Sequence, residues 1–154
     1  MTSYTDDPKD LKLMKMAITQ ANISKPVESA YCVGAVLMAA TGEILSTGYS
    51  RELPGNTHAE QCALDKLPDL SLIENGICYT TMEPCSTRLS GNKPCVERLI
   101  AAKVKKVIMG IKEPPNFVAC SGVDLLRQAG IEVLVVPGIE EECLKPNQHI
   151  LKTE

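Results

Sequence analysis

The chain has no tryptophan, one phenylalanine (Phe117) and an aromatic content of only 3% over 154 residues. Single-stranded nucleic acid is gripped by stacking bases on aromatic faces, so this composition excludes a base-stacking platform. Basic charge is also short: 16 Lys and Arg stand against 19 Asp and Glu, a net charge of -3. A surface built to follow a phosphate backbone carries a basic excess, so nucleic acid is not the expected partner. No apolar run approaches membrane-spanning length. The N-terminus Met1-Thr2-Ser3-Tyr4-Thr5-Asp6-Asp7 has neither a basic start nor an apolar stretch, which excludes a secretory signal there. Histidine is scarce, with only His58 and His149, so any imidazole chemistry rests on one of two residues.

What the chain does have is seven cysteines, an odd number with no regular framework. That pattern fits a reducing compartment, cytoplasm or nucleus, with most thiols as small core residues and a few as ligands. At 44% hydrophobic and 23% charged, the chain is long enough for a single domain with a real core, spanning 1–154 with 1–7 as a flexible tail. A small molecule is the expected partner.

Pro8 after two aspartates starts a helix whose apolar residues Leu11, Met14, Ala17, Ile18 and Ala21 recur at helical spacing, and Pro26 ends it. Val33 to Met38 and Glu43 to Tyr49 flank Ala40-Thr41-Gly42 as a hairpin. A helix over His58 to Leu67, a strand over Ile77 to Thr81, a helix from Pro94, a strand over Lys106 to Ile111, a helix over Cys120 to Ala129 and a strand over Ile131 to Val136 follow. Glu140 to Lys152 is helical in composition but broken by Pro146. Strand and helix alternate late in the chain, which calls for right-handed parallel crossovers. The expected fold is α/β: a three-layer α/β/α arrangement with a mixed sheet of about five strands and helices on both faces. Sites in such sheets gather at the carboxyl ends of strands.

The chemistry-bearing residues converge on two segments, Asn56-Thr57-His58-Ala59-Glu60 and Met82-Glu83-Pro84-Cys85, closed by Pro94-Cys95. One imidazole and two thiols hold zinc with one position left open, and zinc lowers the pKa of a water there to about 7. H-x-E followed by P-C and a further cysteine is the signature of zinc nucleobase deaminases, with the glutamate as proton carrier. His58, Cys85 and Cys95 are therefore the expected ligands and Glu60 the expected acid–base group. Each has a plainer alternative. Thr57-His58-Ala59-Glu60 also reads as a helix capping box. Two residues along an ideal helix turn about 200°, so His58 and Glu60 share a face only where the chain is still entering the helix. Cys62, four residues after His58, is a rival ligand that would close the metal site and make it structural.

Nine residues separate Cys85 from Cys95 in place of the tight two-residue spacing. With Val33-Gly34-Ala35-Val36, His58-Ala59-Glu60-Gln61-Cys62-Ala63, Thr81-Met82-Glu83-Pro84-Cys85-Ser86 and Arg88-Leu89-Ser90-Gly91-Asn92-Lys93-Pro94-Cys95, the chain resembles the cytidine/deoxycytidylate deaminase superfamily. Within it, the long loop is similar to the riboflavin-biosynthesis deaminases, closest to the fungal form. The resemblance covers roughly residues 30–136. It implies a cytidine-deaminase-like fold, zinc on His58, Cys85 and Cys95, Glu60 as proton shuttle, and a homodimer. It implies as substrate a diaminopyrimidinone carrying a ribitylamino or ribosylamino 5'-phosphate, deaminated with release of ammonia. Substrate contacts are expected at Val33, Gly34, Asn56, Ala59, Arg88, Asn92, Lys93 and Asn116. Relatives often carry a reductase or a pseudouridine-synthase-like domain; none is expected within these residues. Two alternatives remain: a deaminase of another nucleobase, nucleoside or nucleotide, and a non-catalytic zinc module.

Overall fold

The computed structural model describes residues 3–27, 30–55, 57–85, 93–111 and 122–148. Helix α1 (Pro8–Ile23) begins where the Asp7 carboxylate accepts the Lys9 N–H at 2.9 Å, with Pro8 in the first turn, where its missing N–H costs nothing. Leu13, Met14, Ala17, Ile18 and Ala21 form its buried stripe. Five strands follow: β1 (Gly34–Met38), β2 (Ile44–Tyr49), β3 (Ile77–Met82), β4 (Lys106–Ile111) and β5 (Glu132–Val135). They form one sheet in the order β2-β1-β3-β4-β5. β1 is antiparallel to both β2 and β3, while β3, β4 and β5 run parallel. The helices between them are α2 (Ala59–Asp65), α3 (Cys95–Ala101) and α4 (Gly122–Gln128), with α5 (Glu140–Leu144) last.

The period of two along each strand sorts residues between two cores. Leu37, Cys78, Val107, Met109 and Val133 pack with Ala63 and Leu64 of α2, Val96 and Leu99 of α3 and Leu126 of α4. Val36, Met38, Tyr79 and Ile108 pack with Leu13, Met14, Ala17 and Ile18 of α1 and Cys143 of α5. The expected three-layer sheet between helices is therefore the observed one, and the Lys106–Ile111 strand has the expected bounds.

Two glycines set how closely the layers approach. A Cβ on Gly34 would overlap the Ala17 carbonyl of α1, and one on Gly48 would overlap the Ala59 carbonyl of α2. Gly48 thus seats the start of α2, where the site is built.

Two local features differ from expectation. The tail is not frayed over residues 3–7. Thr5 N–H donates to the Val135 carbonyl at 3.0 Å, and Val135 N–H to the Ser3 carbonyl at 2.9 Å. The exposed edge of β5 has unpaired backbone groups, and the tail satisfies them. A short 3-10 turn at Leu70–Ile73, started by Asp69, was not expected from the sequence. The break expected at Pro146 is observed: the last helix stops at Leu144, and Pro146 falls in a separate 3-10 turn, Lys145–Asn147.

Candidate active site

His58 is the N-cap of α2, with φ -91 and ψ 162, an extended residue before the helical turns begin. The 200° separation of an ideal helix therefore does not apply between His58 and Glu60. The loop before it is fixed from within: Arg51 N–H donates to the Thr57 carbonyl, and the Thr57 hydroxyl donates to the Leu53 carbonyl, both at 2.6 Å. The capping box is not the one that Thr57 and Glu60 would form. It lies one residue on, where His58 N–H donates to Gln61 Oε1 at 3.5 Å. That frees the Glu60 side chain from any capping duty.

Cys85 arrives from β3. Glu83 N–H donates to the Ile111 carbonyl at 2.9 Å, extending the parallel pairing beyond the strand and aiming Pro84-Cys85 outward at its carboxyl end. Pro94 is the N-cap of α3 and Cys95 its first residue. The start of α3 clasps the other cysteine: Cys95 N–H donates to Cys85 Sγ at 3.2 Å, and Val96 N–H to the Cys85 carbonyl at 3.1 Å.

The three side chains meet. Cys85 Sγ lies 3.4 Å and Cys95 Sγ 3.5 Å from His58 Nδ1, and all three ligand atoms lie within 4.8 Å of one another. Both thiols are buried and the imidazole is half-buried. Tetrahedral zinc with ordinary Zn–N and Zn–S bonds spaces nitrogen from sulfur by about 3.6 Å. The observed gaps match that edge, so the donor set fits the metal. The Cys85 thiol is lowered to about 4, chiefly by its hydrogen bond with Cys95 and next by His58, against the opposing effect of burial. It is held as thiolate, the form that binds metal. Cys62 is not part of this cluster. Its thiol is buried at 3.1 Å from Thr57 Oγ1, where it braces the loop before His58.

Glu60 is 4% exposed. Its Oε2 lies 3.1 Å from the Thr80 hydroxyl. Burial raises its carboxyl above the ordinary carboxylate value, and the Cys85 thiolate adds to that; His58 acts in the opposite direction. A buried carboxyl beside the ligand cluster is placed where a proton carrier would act.

The expected substrate contacts divide. Asn56, Arg88, Asn92 and Asn116 lie outside the described residues, as does His149. Lys93 is exposed, two residues before Cys95, and its carbonyl accepts from Arg98 Nε at 3.3 Å. Ala59 is the first residue of α2, beside Glu60. The Val33 N–H is spent on Ser50 Oγ (2.8 Å) and the Gly34 N–H on Thr81 Oγ1 (3.1 Å), so neither of these amides is offered to a ligand.

Two residues escaped the sequence reading. Thr80 is a fully buried polar residue between Cys78 and Met82, on the α2 side of β3. Glu83 is 2% exposed, its Oε2 accepts the Val123 N–H of α4 at 3.0 Å, and its Oε1 has no hydrogen-bond partner among the described residues. A polar residue at an apolar register position of a central strand was the available signal.

Residues 7–111 match the family model described as the cytidine and deoxycytidylate deaminase zinc-binding region. The chain belongs to that family. It is 48% identical over 136 residues to the diaminohydroxyphosphoribosylamino-pyrimidine deaminase of Schizosaccharomyces pombe, covering 86% of this chain and 33% of that one. This chain thus spans about a third of that relative's length. Among solved structures it is similar to the Aspergillus oryzae Rib2 deaminase, a C-terminal deletion mutant at pH 4.6. The TM-score is 0.77 at 37% identity, with 89% of each chain covered. A second structure of that deaminase, in complex with DARIPP, matches with TM-score 0.76 at 36% identity, covering 89% of this chain and 88% of that one. The five-stranded mixed sheet with helices is the cytidine-deaminase-like fold of these neighbours. Among the described residues, no helix is long and apolar enough to cross a membrane.

Proposed function

We propose that this chain is a zinc-dependent hydrolytic deaminase. Its substrate is a riboflavin precursor, 2,5-diamino-6-(ribitylamino)pyrimidin-4-one 5'-phosphate, from which it releases ammonia. The observation that carries this is the convergence of His58, Cys85 and Cys95 on one point, with the buried Glu60 carboxyl two residues from the imidazole ligand. The names of the S. pombe relative and of the DARIPP-bound Rib2 structure support the substrate class.

His58, Cys85 and Cys95 would hold the zinc, which when bound supplies a Lewis acid that lowers the pKa of water and stabilises developing negative charge. Glu60 takes one proton from the attacking water and delivers it to the pyrimidine ring nitrogen, then takes the second from the hydroxyl of the resulting adduct and passes it to the departing amine. The net change replaces the ring C–NH2 by C=O and consumes one water per ammonia. The start of α3 holds Cys85 in place through two N–H groups. Ala59, Val33 and Asn56 are proposed against the pyrimidine. Arg88, Asn92, Lys93 and Asn116 are proposed toward the ribityl hydroxyls and the phosphate, where local positive charge offsets the chain's net -3.

The test is ammonia release from the ribitylamino and ribosylamino phosphates side by side, with cytidine and deoxycytidylate as controls. The expected result is turnover of the ribitylamino compound. Preference for the ribosylamino compound, which the S. pombe relative's name favours, would move the substrate by one reduction step. Turnover of cytidine or deoxycytidylate alone would overturn the riboflavin reading. No turnover of any of them, with zinc bound, would leave only a metal-binding module.

A further inference from the structure

We propose that Thr80 is the positioning residue for Glu60, a role that rests on the deaminase reading above. β3 runs through the centre of the sheet, paired with β1 on one side and β4 on the other. Within it Thr80 is fully buried, where an unneeded hydroxyl costs stability. That hydroxyl has two partners: Glu60 Oε2 at 3.1 Å and the Met82 carbonyl at 2.9 Å.

A hydroxyl has one proton to donate and lone pairs to accept with. The Met82 carbonyl is the hydroxyl's second partner, and the contact with Glu60 Oε2 fixes the carboxyl at one oxygen. It also ties Glu60 on α2 to the strand that delivers Cys85, so the proton carrier and a metal ligand are referenced to one rigid element. Placement of this kind sets rate, because a catalytic group slightly out of position loses much of its effect.

The experiment compares Thr80→Val, which keeps shape and strand preference but removes the hydroxyl, with Thr80→Ser, which keeps it. Zinc content, melting temperature, kcat and KM are measured on each. Glu60 acts in the chemical step, so the expected result for Thr80→Val is one zinc per chain, KM within twofold, and kcat down roughly threefold to tenfold, the rate equivalent of one hydrogen bond. Thr80→Ser is expected to melt lower, having lost a buried methyl, yet to hold kcat within about twofold of wild type. A purely structural threonine gives the reverse pattern: the serine variant is the worse one and the valine variant keeps its rate. Either a wild-type kcat in Thr80→Val, or equal losses in both variants, overturns the proposal. Should Thr80→Val fail to fold or to hold zinc, Thr80→Cys against Thr80→Ser answers the same question by the same two readings. The control is wild type itself. If it releases ammonia and Thr80→Val matches it, the clamp alone fails; if it releases none, the deaminase reading fails first.

Discussion

Asp10 and Glu60 are both buried carboxylates on helices, and they pack against opposite faces of one sheet. Asp10 on α1 is saturated: the Tyr79 hydroxyl donates to Oδ1 and the Thr5 hydroxyl to Oδ2, each at 2.8 Å. Among the described residues Glu60 on α2 has one side-chain donor, Thr80 at 3.1 Å, and a thiolate nearby that opposes its charge. Adjacent residues of β3 serve the two, Tyr79 turning to one face and Thr80 to the other. The α1/α5 face settles its polar groups within the fold. The α2/α3 face leaves its carboxyl less fully paired, beside a thiolate that raises it further. Burial alone thus does not mark a site; burial with incomplete satisfaction does.

The sharpest way to break this contrast is at the metal. Cys85→Ala and Cys95→Ala should each lose zinc by elemental analysis and lose activity to background. Full zinc retention in both would remove these thiols as ligands. Next, Glu60→Gln should keep fold and zinc while kcat falls ~10²–10⁴-fold. Its counterpart, Asp10→Asn, should leave the rate per folded molecule unchanged. Stability should fall by about 1–3 kcal/mol, because an amide offers only one acceptor oxygen to the buried Tyr79 hydroxyl and the half-buried Thr5 hydroxyl. If Asp10→Asn slows catalysis as much as Glu60→Gln, the two faces are not distinct.

A smaller effect extends the contrast to the substrate. Lys93→Ala should lower kcat/KM by roughly tenfold to a hundredfold, the loss of a charge-assisted contact of ~1.5–3 kcal/mol. The dephosphorylated substrate should be turned over equally by both proteins, and an undiminished phosphate preference would take Lys93 out of the site.

The smallest effect belongs to the α1/α5 face and concerns pH. Tyr79 is raised above its ordinary value by burial first and then by the hydrogen bond to Asp10 and its charge. Cys143 is pushed up to about 12, also chiefly by burial. Each has a folded value above its unfolded one, so each contributes stability at lower pH that is lost as pH rises, from about pH 8.5 for the thiol and about pH 10 for the phenol. Melting temperature should therefore decline above that range. Tyr79→Phe should decline less steeply above pH 10, and identical slopes would show that the phenol does not couple to folding.

Much of this was legible in the residues. The alternation of strands and helices, the hairpin at Thr41-Gly42 and the strand at Lys106–Ile111 follow from periodicity and turn residues, which are local. So does the donor set, because His58, Pro84-Cys85 and Pro94-Cys95 each sit at an element end where a side chain can leave the fold. The capping box that Thr57-x-x-Glu60 offers as an alternative falls one residue on, at His58-x-x-Gln61, since the two differ only in where the chain turns helical. The tail at Ser3–Thr5 was taken for loose because its partner, the edge of β5, lies 130 residues away. Thr80 shows in the sequence only as a polar residue within an apolar strand and Cys62 only as a thiol at ligand spacing; their partners are not local, Glu60 across the layer for one and Thr57 for the other.

By itself the sequence determined the fold class, the five strands and the three ligand types, because hydrophobic period, glycine and proline placement and donor chemistry are properties of neighbouring residues. Only the tertiary structure decided which of the buried cysteines meet His58, that Glu60 is released from capping, and that Thr80 holds it. Those are relations between α2, β3 and α3, set by Gly48 seating one helix on the sheet and by the start of another closing over Cys85. No local pattern encodes a distance of 3.4 Å between residues 27 positions apart.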